Sequence, residues 1–369
     1  MPFRSQRTTV SPHEAVIFYP SFGYRCGAET WAVVVQGCVY HQRITWLRRK
    51  PVLSVIRRAM RVGRDSELCF RQRMRQFLVH FSAGRLVTVQ LGAEIATLGP
   101  TEAAGLFRGE LQIPARVVDA NPGGGGSGET RWVQYHANLP EGDSRSFVGE
   151  AQLLEGQGVS IISDVDDTLK HSNVPDRGDL FQNTFVREFV PIPGMPELYR
   201  ECALRGAAFH YVSGSPWQLY EPLAEFWQSQ GYPPGSFHLK RFRLRESAGK
   251  LRRMSPQRPH KTAAIEPIVS AFPERKFILI GDSGEQDPEI YAHFLRERSQ
   301  QVVQVYIRAV RGMAVDLPRL EQTFRDAART SWTVYESADQ IHEPLLKWIE
   351  AMKSTPANSC RSVSIPDRI

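Results

Sequence analysis

Residues 161–170 read Ile-Ile-Ser-Asp-Val-Asp-Asp-Thr-Leu-Lys, an apolar run that ends abruptly in three carboxylates and a threonine. The plainest account of such a cluster is an Asp-rich turn after a strand. Its position points further, because ligands of open α/β sheets bind beyond the carboxyl ends of the strands. A second apolar run, Phe277-Ile278-Leu279-Ile280, leads into Gly281-Asp282-Ser283-Gly284-Glu285-Gln286-Asp287. Asp287 before Pro288 has the pattern of a helix start; Asp282 has no such explanation. If both runs are central strands, Asp164, Asp166 and Asp282 converge. At an effective dielectric near ~20, each like-charge pair ~4 Å apart then costs ~4 kcal/mol. A divalent cation removes that cost, and an all-oxygen donor set without His or Cys points to Mg²⁺, which keeps waters and accepts a phosphate oxygen.

Two further pieces fit phosphoryl transfer. Phe209-His210-Tyr211-Val212 runs into Ser213-Gly214-Ser215-Pro216-Trp217, which offers a hydroxyl and backbone N–H groups at a helix start, an anion cradle. Lys261 opens another helix and brings an ammonium, although such a lysine is also an ordinary solvated residue. The order along the chain is carboxylate pair, hydroxyl, lysine, then Gly-Asp with a second Asp five positions on. A serine-hydrolase reading of Gly281-Asp282-Ser283-Gly284 lacks a His and acid partner and leaves Asp164 and Asp166 unexplained.

These residues need a frame. From Gly158 onward, near-continuous apolar runs (Val159 to Ser163, Ala207 to Val212, Lys276 to Ile280, Val302 to Ile307) alternate with helical segments (Trp217 to Gln228, Lys261 to Ala271, Pro288 to Arg298). That is the pattern of a doubly wound, Rossmann-like parallel α/β sheet. The preceding 155 residues carry short strand-like runs at Trp31 to Tyr40, Arg85 to Leu91, Arg131 to Tyr135 and Phe147 to Leu153, the spacing of a β-sandwich. A helical, arginine-rich hairpin over Leu47 to Val79 interrupts them. The expected organisation is an accessory β-rich domain over 1–155, a catalytic domain over 156–352 and a flexible tail over 353–369.

Residues from about Gly158 to Arg308 resemble the haloacid dehalogenase superfamily, and in detail its actin-patch-associated phosphatidate phosphatase family. The likeness rests on residues 163–170, 211–219, 272–291 and Tyr306-Ile307-Arg308; in the N-terminal half it is loose, through Phe22-Gly23-Tyr24. The resemblance implies a haloacid dehalogenase-like fold and an Mg²⁺-dependent phosphatidate phosphatase. It makes Asp164 the nucleophile that becomes an aspartyl-phosphate, and Asp166 the acid that protonates the leaving oxygen and then activates water. Thr168 steadies the loop. Ser213 and Lys261, with Gly214 and Ser215, hold the phosphoryl oxygens, and Asp164, Asp166, Asp282 and Asp287 hold Mg²⁺, Asp287 through water.

Composition bounds the partners. The 369 residues are 41% hydrophobic and 23% charged, an ordinary globular balance, with a net charge of +7 and a pI near 9.2. That charge favours anionic partners. Five scattered cysteines without a C-x-x-C pair argue against a disulfide framework or zinc site. No apolar run approaches the ~18 residues of a bilayer helix, and no secretory signal opens the chain, so a cytoplasmic protein that meets membranes peripherally is expected. Gly123 to Gly128 lacks the Lys and Ser/Thr of a phosphate-binding loop and reads as flexible. Two basic stretches, Arg48 to Arg75 and Lys240 to Arg258, are either solvated faces or surfaces for anionic phospholipid. No nucleic-acid-reading motif accompanies them. Alternatives of the same and of a different class are a phosphatase for a lysolipid or phosphoprotein, and a non-catalytic membrane- or cytoskeleton-associated adaptor.

Overall fold

The computed structural model describes residues 8–42, 62–63, 66–120, 131–174, 176–241, 257–310 and 314–353. Most of the expected arginine-rich hairpin, the Gly123 to Gly128 loop, most of the second basic stretch and all of the tail but Lys353 lie outside the described residues.

The N-terminal half is built from β1 (Glu14–Phe18), β2 (Ser21–Arg25), β3 (Thr30–His41), β4 (His80–Phe81), β5 (Val87–Leu91), β6 (Glu94–Leu98), β7 (Leu106–Pro114), β8 (Arg131–Ala137) and β9 (Val148–Leu154). Two short helices, α1 (Glu67–Met74) and α2 (Ala115–Ala120), interrupt it. The nine strands form one hydrogen-bonded sheet rather than the separate sheets of a sandwich. The reason is β3, twelve residues long and paired along both edges: β1 and β2 on one side, β7 and β4 on the other. The two ends of the sheet meet across a shared core of Val33, Val35, Val87, Leu111, Tyr135 and Leu153. The contact is close enough that a Cβ on Gly109 of β7 would lie 2.6 Å from Leu98 Cδ2 of β6.

The C-terminal half carries β10 (Val159–Ser163), β11 (Ala208–Pro216), β12 (Ser236–Lys240), β13 (Lys276–Asp282), β14 (Val302–Arg308) and β15 (Trp332–Tyr335). All neighbours pair in parallel, in the order β12-β11-β10-β13-β14-β15. Numbered along the chain this is 3-2-1-4-5-6, which reverses direction between β10 and β13 and opens a crevice there. The helices are α3 (Arg177–Phe185), α4 (Met195–Leu204), α5 (Tyr220–Gln230), α6 (Gln257–Ala271), α7 (Asp287–Glu297), α8 (Leu317–Thr323) and α9 (Ala338–Lys353). Strand alternation sends Ile161, Phe209, Ile278 and Ile280 toward α4, α5 and α9, and Ile162, Ala208, Leu279 and Ile307 toward α6, α7 and α8. Both faces are therefore covered, which is why these strands read as unbroken apolar runs.

The halves are not beads on a linker. Phe22, Val34 and Leu154 of the N-terminal sheet belong to the same core as Ile162, Val212 and Phe272. The Phe237 N–H donates to the Pro20 carbonyl at 3.1 Å, and Gln36 Nε2 donates to both Pro20 and Phe237 carbonyls. Tyr19 stacks on Trp217, ring centroids 4.0 Å apart. The buried Arg275 guanidinium ties the crossing point, donating to the carbonyls of Glu155, Gln157 and Val159. No helix among the described residues is long and apolar enough to cross a membrane.

Candidate active site

β10 ends at the reversal of the sheet, and the Asp164 N–H donates to the Ile280 carbonyl of β13 at 2.8 Å, setting the side chain at the crevice. Asp164 Oδ1 accepts from Lys261 Nζ at 2.7 Å, and Oδ2 accepts from the Thr168 hydroxyl at 3.0 Å. Lys261, near the start of α6, also reaches Asp287 Oδ1 at 2.5 Å and Glu285 Oε2 at 3.2 Å. Asp164, Glu285 and Asp287 each present an oxygen, all within 4.8 Å of one another. Gly281 makes the approach possible, since a Cβ there would lie 2.3 Å from Asp287 Oδ2.

Three buried carboxylates around one ammonium leave a deficit of positive charge. Burial pushes the Asp164 carboxyl well above its usual range, with Lys261 opposing and Asp287 and Glu285 adding to the rise. Asp282 is raised by burial and then by Asp287 and Asp164. Burial works against the Lys261 ammonium, yet Asp164, Asp287 and Glu285 together hold it well above the usual lysine value. Asp282 Oδ1 accepts the Gly284 N–H at 2.6 Å, while the buried Oδ2 has no partner among the described residues. An orphaned carboxylate oxygen beside a three-oxygen cluster is the donor chemistry of a hard divalent cation.

Asp166 faces a different environment. Its Oδ1 accepts from Lys170 Nζ at 2.8 Å and the Ser172 hydroxyl at 2.6 Å; its Oδ2 accepts from the hydroxyls of Ser213 at 2.8 Å and Ser215 at 2.9 Å. Burial alone would raise this carboxyl, but the Lys170 ammonium and these hydroxyls outweigh it and hold Asp166 below the usual range. Lys170 is itself buried, with its ammonium over the Phe189 ring at 4.8 Å.

The loop between the two clusters is fixed by Asp167. Its backbone sits at φ +56, where a non-glycine residue costs roughly 1–2 kcal/mol. Its carboxylate accepts the N–H groups of Ser172, Asn173 and Val174 at 2.7–2.8 Å, and its carbonyl accepts from Arg308 Nη1 at 2.6 Å. These bonds offset the backbone cost and close the turn.

Of the residues picked from sequence, Asp164, Thr168, Lys261 and Asp287 meet in one cluster, and Asp282 adjoins it. Asp166, Ser213 and Ser215 form the neighbouring cluster, and Gly214 lies half-buried between the two serines near the end of β11. Of the four expected ligands, Asp164 and Asp287 lie in the closest oxygen set together with Glu285, Asp282 adjoins it, and Asp166 faces Lys170 and the serine hydroxyls instead. Sequence reasoning gave no role to Glu285, Asp167, Lys170, Ser172 or Arg308. The one local signal was the Asp166-to-Lys170 spacing of four.

Residues 159–309 match the family model of the phosphatidate phosphatase APP1 catalytic domain. The chain is 33% identical over 174 residues to phosphatidate phosphatase APP1 of Saccharomyces cerevisiae, covering 46% of this chain and 29% of that protein. It is 30% identical over 170 residues to the uncharacterized protein C29B5.04c of Schizosaccharomyces pombe, covering 45% of this chain and 27% of that protein. The chain thus spans less than a third of the length of these curated relatives. A likeness to a mutant PilB minor pilin of Streptococcus sanguinis, 8% identical over 74% of this chain and 90% of that one, has a TM-score of 0.29 and carries no argument.

Proposed function

Residues 159–309 belong to the family of phosphatidate phosphatase APP1 catalytic domains, and from that premise we propose that the chain hydrolyses the phosphomonoester of phosphatidate to diacylglycerol and phosphate. The observation that carries the reading is Asp164, held by Thr168 and Lys261 at the sheet reversal beside an acidic, all-oxygen cluster. We read the region from 156 to 352 as a haloacid dehalogenase-like catalytic unit, 1–155 as its accessory sheet and 353–369 as a tail. The basic stretches would bring a cytoplasmic protein to anionic membrane surfaces.

Asp164 attacks phosphorus with a carboxylate oxygen to form an aspartyl-phosphate, and Thr168 fixes the rotamer from which it does so. Lys261 sets an ammonium against the charge of the incoming phosphoryl oxygens. Mg²⁺ held by Asp164, Glu285 and Asp287, with the open oxygen of Asp282 alongside, would supply Lewis-acid neutralisation of phosphate charge. Asp166 serves the leaving and attacking oxygens. The like charge of an arriving phosphate favours protonation of Asp166, which then donates to the leaving oxygen. As a carboxylate again, braced by Lys170, it accepts the proton of the attacking water. Ser213 and Ser215 hydroxyls, which hold Asp166 in the free protein, stand near the end of β11 as donors for phosphoryl oxygens.

The test is phosphate release from vesicles of phosphatidate, vesicles of lysophosphatidate and a soluble phosphomonoester, each with and without Mg²⁺. The reading expects phosphatidate to be hydrolysed fastest and only with the cation. Equal turnover of all three would remove the lipid from the account, and turnover without divalent cation would remove the metal.

A further inference from the structure

Between the halves, alongside the active site, lies a groove of about 530 Å³. One wall comes from the N-terminal sheet, with Phe107 and Arg108 of β7 and Tyr19 after β1. The other comes from the catalytic half, with Lys240 and Arg241 at the end of β12 and Trp217 directly after β11.

Three features connect it to the chemistry. His260, next to Lys261 on α6, lines the groove and lies with Nε2 3.1 Å from the Ser213 carbonyl oxygen. Trp217 closes the segment that begins with Ser213, and its stacking on Tyr19 fixes that segment against the N-terminal sheet. Lys240 pairs in register with Pro216 and lies within Coulombic reach of Glu285. The groove therefore borders the phosphate end of the site through His260, which neighbours Lys261 and contacts Ser213, and it is the adjacent cleft in which the remainder of a substrate could lie.

The lining is amphipathic. Aromatic and aliphatic surface alternates with Arg108, Lys240 and Arg241, and Glu102 is the acidic residue among them, paired with Arg241 at 2.6 Å. Arg108 is exposed on β7. The acidic cluster at Asp164 repels a phosphate dianion, whereas a cationic rim next to it draws such a ligand in and holds its oxygen-rich ester region. A small hydrophilic phosphomonoester would have no use for the apolar floor, and a free acyl chain none for the rim. A ligand with phosphate at one end, ester oxygens in the middle and apolar surface beyond matches both.

We propose that this groove seats the leaving-group side of the substrate, the acylated glycerol of a phosphatidate-class phosphomonoester, with the N-terminal sheet supplying one wall as a specificity element. The inference rests on the phosphatase reading above. In that role the N-terminal half is more than a support: Arg108, distant in sequence from every acidic motif, helps to select the lipid.

The test is calorimetric binding of two non-hydrolysable probes to the full chain in Mg²⁺, a dihexanoyl phosphonate analogue of phosphatidate and phenylphosphonate. Arg108 is exposed, so its replacement leaves the core intact. The expected result is that Arg108→Glu weakens the lipid analogue by about tenfold and phenylphosphonate by much less, with Arg108→Lys restoring most of the loss. The KM for dihexanoyl phosphatidate should rise in parallel while kcat falls far less. Unchanged affinity for the lipid analogue in Arg108→Glu, or equal fractional losses for the two probes, would overturn the assignment. The two readings fail separately. A wild-type chain that turns over no phosphomonoester sinks the phosphatase reading, while Arg108-dependent binding of the analogue in that same chain would still support the groove.

Discussion

Asp164 and Asp166 are two residues apart on one loop and live in opposite electrostatic surroundings. Asp164 shares a single ammonium with two other buried carboxylates, and its charge is poorly supported. Asp166 has a lysine to itself and three hydroxyl donors, and its charge is over-supported. Neighbouring carboxyls whose proton affinities are driven apart are how one site divides nucleophilic from acid–base work. The shortage at Asp164 is what a cation would correct, and the surplus at Asp166 is what a substrate phosphate would loosen.

The comparison is sharpest in activity. Asp164→Asn should lower phosphate release by at least about four orders of magnitude with the fold retained, because the amide keeps the shape and removes a poorly supported charge. A variant within tenfold of wild type would break the distinction between the two residues.

Removing the shared ammonium is next. Lys261→Met strands three buried carboxylates and should cost roughly 3–5 kcal/mol in urea unfolding, with added Mg²⁺ recovering part of it. No effect of Mg²⁺ on the variant's midpoint would argue that the cluster is not a cation site.

The two aspartates should also give acid responses of opposite sign. Asp166 is held below the ordinary aspartate value of 3.8, so its contribution to stability is present above that pH and is lost as pH falls further. Asp164 is raised, so its contribution declines as pH climbs above 3.8. Unfolding followed across pH in chelator should show Asp166→Asn flattening the acid limb and Asp164→Asn flattening the decline on the other side. Identical changes in both variants would contradict the contrast.

The smallest effect is expected at Ser215→Ala, which removes one of four donors to Asp166 and should cost about 1 kcal/mol of stability and only a few-fold in activity. A loss as large as that of Asp164→Asn would mean that Ser215 touches the reacting atoms directly.

Much of this arrangement could be read from the chain because its signals are local. The strand Val159–Ser163 has the predicted bounds, and β13 runs two residues past its expected end, through Asp282, because an apolar run buried on both faces stands out against the acids that end it. The helix over Ala338–Lys353 is not among the expected helical segments, although Ile341, Leu345 and Ile349 repeat at four-residue spacing. Short strands such as Ser236–Lys240 and Trp332–Tyr335 carry too few residues to show a period, and only pairing with β11 and β14 defines them. What sequence could not show is non-local. The double-edged pairing of β3 links the nine N-terminal strands into one hydrogen-bonded sheet, and Phe22 and Val34 join the core of the C-terminal sheet from more than a hundred residues away. Lys170 looks like a surface lysine until the fold buries it against Asp166 and Phe189.

The central claim is that Asp164 carries the phosphoryl group in transit. It is tested most directly by mixing the full chain with a slight deficit of phosphatidate in Mg²⁺, quenching in acid within the first turnover and locating the phosphoryl group by peptide mass spectrometry. The account predicts a labelled peptide with the modification on Asp164, absent from Asp164→Asn. Turnover with no labelled peptide, or with the label on another residue, would contradict it.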